Sequence, residues 1–299
     1  MKRKVDGVLL LDKPAGLTSN TALQKAKRLF NAAKAGHTGT LDPFATGLLP
    51  LCFGEATKFS QFLLDADKVY EAEVRLGVRT SSGDLDGDVI AESPVSLDEA
   101  RLRAALHAFM GEIEQVPPMH SALKHQGRPL YEYARQGVEI PRKARRVTVH
   151  SLELLSFTPP TCVLRVHCSK GFYVRALADD LGQALGCGGH LVGLRRLAVG
   201  GFSVADAYTL ETLAAQSPDS LDACLAPADR LIQRLPIQQL DQESAWQMLH
   251  GQAVWLPRLQ VGTLFRLYDP DQVFLGVGVV NEEGKLAPQR LVCTDAAQG

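Results

Sequence analysis

Asp42 is the residue whose surroundings most suggest chemistry. It lies in Gly36-His37-Thr38-Gly39-Thr40-Leu41-Asp42-Pro43, which continues Phe44-Ala45-Thr46-Gly47-Leu48-Leu49-Pro50. These fifteen residues hold three glycines, two prolines, one histidine and a single acid. Glycine opens backbone conformations closed to other residues and proline fixes φ, so the stretch reads as a rigid loop built to hold one carboxylate. A carboxylate held that way can be a nucleophile. His37 is a candidate general base beside it. A second constellation is Lys170-Gly171-Phe172-Tyr173-Val174-Arg175. Tyr173 and Arg175 share a face if the preceding strand continues. An arginine partner would keep a desolvated Asp42 ionised and aim it.

Residues 119–146 form a third set. Lys124, Arg128, Arg135, Arg142, Lys143, Arg145 and Arg146 stand against Glu132 and Glu139, a net of +5, with His120, His125, Tyr131 and Tyr133 interleaved. Two readings are open: an ordinary helix with an exposed basic face, or a mobile flap that neutralises phosphates and stacks on unpaired bases. The chain's net charge of −1 hides an asymmetry. Residues 1–199 carry 26 basic and 21 acidic side chains, residues 200–299 only 6 and 12. A basic N-terminal part is the footprint of a polyanion partner.

Other motifs fail their tests. Gly83-Asp84-Leu85-Asp86-Gly87-Asp88 has glycine at the wrong position for a calcium loop, with Val95 where the twelfth-position glutamate belongs. It reads as a polar turn between strands. The six cysteines show no Cys-x-x-Cys, and Cys187 with His190 lacks a second pair, so no metal and no disulfide framework is expected. Gly186-Cys187-Gly188-Gly189 ends a helix rather than opening one, so a dinucleotide site is not supported. No cofactor is expected.

The elements that must position these groups follow from periodicity. Strands are expected at Val8–Leu11, Val69–Gly77, Thr161–His167 and Leu191–Val199, and helices after Thr18, at Lys58–Leu64, Leu97–Met110 and Ala176–Leu185. Residues 203–234 read as helical and acidic. Short strands near 254–256, 265–268, 273–280 and 289–292 suggest a small all-β module. The apolar run Val8–Leu11 ends at Asp12-Lys13-Pro14, too short for a signal peptide. A soluble cytoplasmic protein, not membrane-bound, is the expectation.

The Asp42 loop, Lys170–Arg175, and Gly188-Gly189-His190-Leu191 with Leu194-Arg195-Arg196-Leu197 occur in this order in one chain. Together they resemble the TruB-type tRNA pseudouridine-55 synthases, and the resemblance extends over essentially the whole chain. It implies an α+β fold: a mixed, mainly antiparallel central sheet flanked by helices, over 1–235. A PUA-like barrel over 236–299 would follow. It also implies that Asp42 is the nucleophile, with Arg175 as its partner. His37 would hold T-loop nucleotides rather than act as base. Tyr70 would stack on the target base, Tyr173 and Leu194 would line the pocket, and Lys13 and Pro14 would form a supporting turn. Thr80-Ser81-Ser82 departs from the Thr-Asp-Thr that family members often carry.

The implied activity is conversion of uridine to pseudouridine in the T loop of tRNA. The glycosidic bond breaks, the uracil rotates and rejoins through C5, and nothing external is transferred. Lys124 and Arg128 are the RNA-facing candidates in the flap. The expected partner is the tRNA T stem-loop, with no obligate protein partner and a monomeric state. The alternative is a non-catalytic tRNA-binding or tRNA-folding module using the same surface. A small-molecule hydrolase built on Asp42 and a histidine lacks a second acid or base at a recognisable spacing.

Overall fold

In a computed structural model, which describes residues 2–121 and 123–293, a nine-stranded sheet organises the first 203 residues. Its main path runs Gly7–Lys13, Thr46–Phe53, Gly189–Val199, Lys68–Leu76, Thr161–Cys168, Arg145–Thr158 and Gly111–Gln115. All neighbours on this path are antiparallel except one. Thr46–Phe53 meets Gly189–Val199 in parallel, through Thr46–Arg195 and Gly47–Arg196. The sheet is thus two antiparallel halves joined at a parallel seam.

Both halves are built by alternation. In Thr161–Cys168, Cys162, Leu164, Val166 and Cys168 are buried, and the intervening residues face outward. The helix Val174–Leu185 lays Leu177, Ala178, Leu181 and Leu185 on that inner face, joined by Leu102 and Leu106 of Glu99–Leu106. A second cluster packs Ala22, Leu23 and Ala26 of Ser19–Leu29 onto Leu9, Leu11, Leu49 and Leu51. Thr18 caps that helix, accepting from the Thr21 amide at 3.0 Å.

A four-stranded sheet follows: Ile237–Gln239, Leu264–Tyr268, Phe274–Val280 and Leu286–Leu291. It has its own apolar cluster around Met248, Leu267, Leu275 and Leu286. Val277 turns the other way and joins Phe59, Phe202 and Ile232 of the preceding part. Lys58 Nζ donates to the Leu291 carbonyl (2.9 Å) and the Cys293 amide to Glu55 (2.6 Å), tying the last strand down.

Three sequence expectations change. Residues 203–234 form only short turns of helix, Leu210–Ala214 and Pro218–Asp222 with two 3₁₀ turns, because caps and prolines such as Thr209, Ser217 and Pro218 interrupt every run. Residues 254–256 form a single bridge, Val254 to Leu286, rather than a strand. The strand before Tyr173 stops at Cys168, so Tyr173 and Arg175 do not share a strand face. Tyr173 is the N-cap of Val174–Leu185, and Arg175 lies in that helix's first turn.

Candidate active site

The Asp42 loop enters the seam strand Thr46–Phe53, and side chains from three elements grip its backbone. Ser19 donates to the Leu41 carbonyl (3.0 Å) and accepts from the Leu41 amide (2.8 Å). Lys13, with no solvent exposure, donates from Nζ to the carbonyls of Leu17 (2.7 Å), Pro14 (2.9 Å) and Pro43 (3.3 Å). Burial pulls its ammonium down to about 8, against the opposing pull of Asp42. Arg196 is fully buried and donates to the carbonyls of Leu48 (2.7 Å) and Gly39 (3.2 Å). The seam requires glycine at 47. Its φ is +101°, and a Cβ there would come within 2.3 Å of the Arg196 carbonyl.

Asp42 itself is half-buried and points at Arg175. Arg175 Nε lies 3.1 Å from Oδ2, and Nη2 donates to Oδ1 at 3.4 Å, a side-on fork. The same guanidinium meets Asp84 Oδ2 through Nη1 (3.3 Å) and donates through Nη2 to the His120 carbonyl (2.6 Å). Asp84 is buried, accepts from Ser82 Oγ and accepts from the Asp86 amide at 3.0 Å. Burial pushes the Asp42 carboxyl above the ordinary aspartate range; Arg175 pulls it back, while Asp84 and Asp86 push it up. The site therefore holds a carboxylate that is desolvated yet paired.

Around this pair stand aromatic and apolar groups. Tyr70 and Leu194 are half-buried on adjacent strands and pack with Phe44 against the inner-face cluster. Burial raises the Tyr70 pKa, and the nearby Arg196 charge opposes the rise. Burial likewise raises that of Tyr173, opposed by the nearby Arg145 and Arg175. Gln115 fixes the Tyr173 backbone from both sides, donating to its carbonyl (3.0 Å) and accepting from its amide (2.8 Å). His37 is half-buried; burial and the nearby Arg196 lower its pKa, and its buried Nδ1 has no hydrogen-bond partner among the described residues.

Of the residues read from the sequence, Asp42 and Arg175 are linked directly, and Lys13 reaches the loop through the Pro43 carbonyl and attracts Asp42 electrostatically. Pro14 contributes its carbonyl to Lys13, Tyr70 and Leu194 pack on the same inner face, and Tyr173 is near enough to Asp42 and Arg175 to feel both charges. Lys124 and Arg128 sit apart, both exposed, on a two-residue ribbon. Arg128 pairs with Glu132 (3.3 Å) and lies 5.1 Å from the Tyr133 ring centre. Ser19, Asp84 and Gln115 matter to the geometry and are not evident from the sequence as site residues. Asp84 carries a signal as the first acid of the Asp-x-Asp-Gly turn, which on its own reads as merely polar; Arg196 carries one within Leu194-Arg195-Arg196-Leu197, but its grip on the Gly39 and Leu48 carbonyls comes from the structure. Cys187 and His190 do not meet: Cys187 donates to the Gly188 carbonyl, and His190 Nδ1 lies 2.9 Å from the Val78 carbonyl.

Residues 27–174 match the TruB family pseudouridylate synthase N-terminal domain, 175–233 the tRNA pseudouridylate synthase B C-terminal domain, and 236–292 the pseudouridine synthase II TruB C-terminal region. A tRNA pseudouridine synthase B of Burkholderia mallei is 57% identical over 301 residues, covering 99% of each chain. One from Methylobacillus flagellatus is 53% identical over 292 residues, covering 98% of this chain and 97% of its own. Among solved structures, a chain of a Cbf5-Nop10-Gar1 complex superposes with TM-score 0.75 at 26% identity, over 95% of this chain and 84% of that one. A chain of an H/ACA RNP bound to a substrate RNA containing 2'-deoxyuridine gives 0.74 at 23%, over 96% and 85%.

The fold is therefore that of a pseudouridine synthase: a mixed α+β domain with a central, mostly antiparallel sheet and a small C-terminal β domain. The chain belongs to the TruB family of pseudouridylate synthases and is an enzyme of that class.

Proposed function

We propose that this enzyme converts uridine to pseudouridine in tRNA, at position 55 of the T loop, with Asp42 as nucleophile. The observation that carries the reading is the half-buried Asp42 carboxylate, forked by a buried Arg175 beside Tyr70, Tyr173 and Leu194. Relatives named tRNA pseudouridine synthase B at 57% identity support the tRNA substrate. We assign residues 1–235 to catalysis and 236–299 to a PUA-like unit.

The geometry supplies what the reaction needs from the protein. A base stacked in a folded loop must flip out, at a cost of a few kcal/mol. Stacking on an aromatic face returns about 1–3 kcal/mol; Tyr70, packed against the inner-face cluster, is the surface for it. His37, kept neutral by burial and by Arg196, holds the loop nucleotides rather than a proton. Arg175 keeps Asp42 ionised and aimed at the ring while Asp84 braces the guanidinium from its other side. Lys124 and Arg128 meet backbone phosphate.

The test is tritium release from a T stem-loop transcript labelled at uracil C5, wild type against Asp42→Asn. Asp42→Asn should bind the RNA and release no tritium. Release at the wild-type rate would remove Asp42 as nucleophile. Wild-type release from a transcript lacking the position-55 uridine would remove the site assignment.

A further inference from the structure

On the face of the sheet opposite the helices, three side chains from separate parts of the sequence meet. Asp67 immediately precedes Lys68–Leu76, His150 lies on Arg145–Thr158, and His167 on Thr161–Cys168. His150 Nε2 is 3.3 Å from Asp67 Oδ2. The two imidazole rings have centroids 4.7 Å apart and are tilted by 47°. One donor atom from each of the three residues lies within 4.8 Å of the others.

A β-bulge produces the cluster. The register runs Val149–Cys168 and then Ser151–His167, which leaves His150 without a partner of its own. His150 thereby sits between those two pairs, toward Lys68, which pairs with Cys168 on the other side of the same strand. Asp67 is the residue just before Lys68, and His167 faces outward with it. No linear spacing could announce such a site, since its members lie at 67, 150 and 167.

We propose that Asp67, His150 and His167 bind one zinc-like divalent transition-metal ion. Two imidazole nitrogens and one carboxylate oxygen are donors suited to a borderline dication, whereas calcium and magnesium favour oxygen alone. Tetrahedral zinc with bonds near 2.0–2.1 Å holds its donors about 3.4 Å apart. The Asp67–His150 separation of 3.3 Å already matches that spacing. Small rotations of these surface side chains close the remaining distances, and the His150 and Asp67 side chains are 38% and 35% exposed, open to entry from solvent. Three protein ligands leave a fourth position for water. The ion would clip three neighbouring strands together, at the end of the strand whose Tyr70 faces the cleft.

The test uses the full chain, freed of metal with EDTA and titrated calorimetrically with ZnCl₂. One micromolar-range site is expected, weakened about tenfold or more by His150→Ala or by His167→Ala. Cobalt(II) in place of zinc should give visible ligand-field bands without a thiolate charge-transfer band. A thiolate band would move the ion to the exposed Cys293 and overturn the proposal. So would an absence of saturable binding, or binding unchanged in the double variant. Because the groups are at the surface, the metal-free double variant should melt as the wild type does. Zinc should then raise the melting temperature of the wild type only.

Discussion

The loop around Asp42 and the basic segment 119–146 differ in how they are held. Buried Lys13, Ser19 and Arg196 grip the loop backbone at Pro43, Leu41, Gly39 and Leu48. The basic segment is held chiefly by its own turns, such as Leu130 N to Leu123 O and Gly137 N to Ala134 O. Its charged side chains are largely exposed. A reacting carboxylate must sit within about 0.5 Å of its productive position, so its loop is built from groups that cannot move independently. Phosphate neutralisation acts over several ångströms and tolerates adjustment. Arg175 joins the two regions, forking Asp42 and donating to the His120 carbonyl at the root of the basic segment. In the proposed function, closure of that segment over RNA and aiming of Asp42 would share a guanidinium.

This contrast is broken most sharply at Asp42. Asp42→Asn should lower turnover by at least about 10³-fold with RNA affinity nearly unchanged, read by tritium release and filter binding. Arg175→Gln should cost about 10²-fold in kcat. It should also move the acid limb of the pH–rate profile upward. The sign follows from the site: activity needs ionised Asp42, whose pKa burial already raises and Arg175 lowers. Asp84→Asn removes a charge that raises the Asp42 pKa, so its limb should move downward. A limb moving the same way in both variants would contradict the electrostatic account.

Lys13→Met should destabilise the fold by about 2 kcal/mol, because the Pro14, Leu17 and Pro43 carbonyls lose their donor. A urea midpoint measures it, and an unchanged midpoint would mean that the loop is not held from this side. Smallest is the effect in the adaptable region. Lys124→Ala with Arg128→Ala should weaken RNA binding and flatten its log-log salt dependence by about 0.7–0.9 for each phosphate left unneutralised, leaving kcat at saturating RNA unchanged. A fall in kcat would make the segment part of the chemistry.

The sequence determined the local features. The glycines and prolines about Asp42 marked a fixed loop, although Gly36, His37 and Thr46–Pro50 at its ends lie in strands, and strict alternation wrote the strand Thr161–Cys168. The helix was legible from Ala176 to Leu185 for the same reason, since its apolar spacing is local, but its first turn, which carries Arg175, was not. What holds Asp42 in place was decided by tertiary structure alone. Ser19 reaches Leu41 across 22 positions, Asp84 meets Arg175 through a turn whose residues alone look merely polar, and Arg196 reaches Leu48 across the parallel seam. Some of these residues stand in recognisable motifs, but no motif names the partner, because the partner is set by strand order and register. The same holds for Asp67, His150 and His167, which only a bulge and two strand pairings bring together.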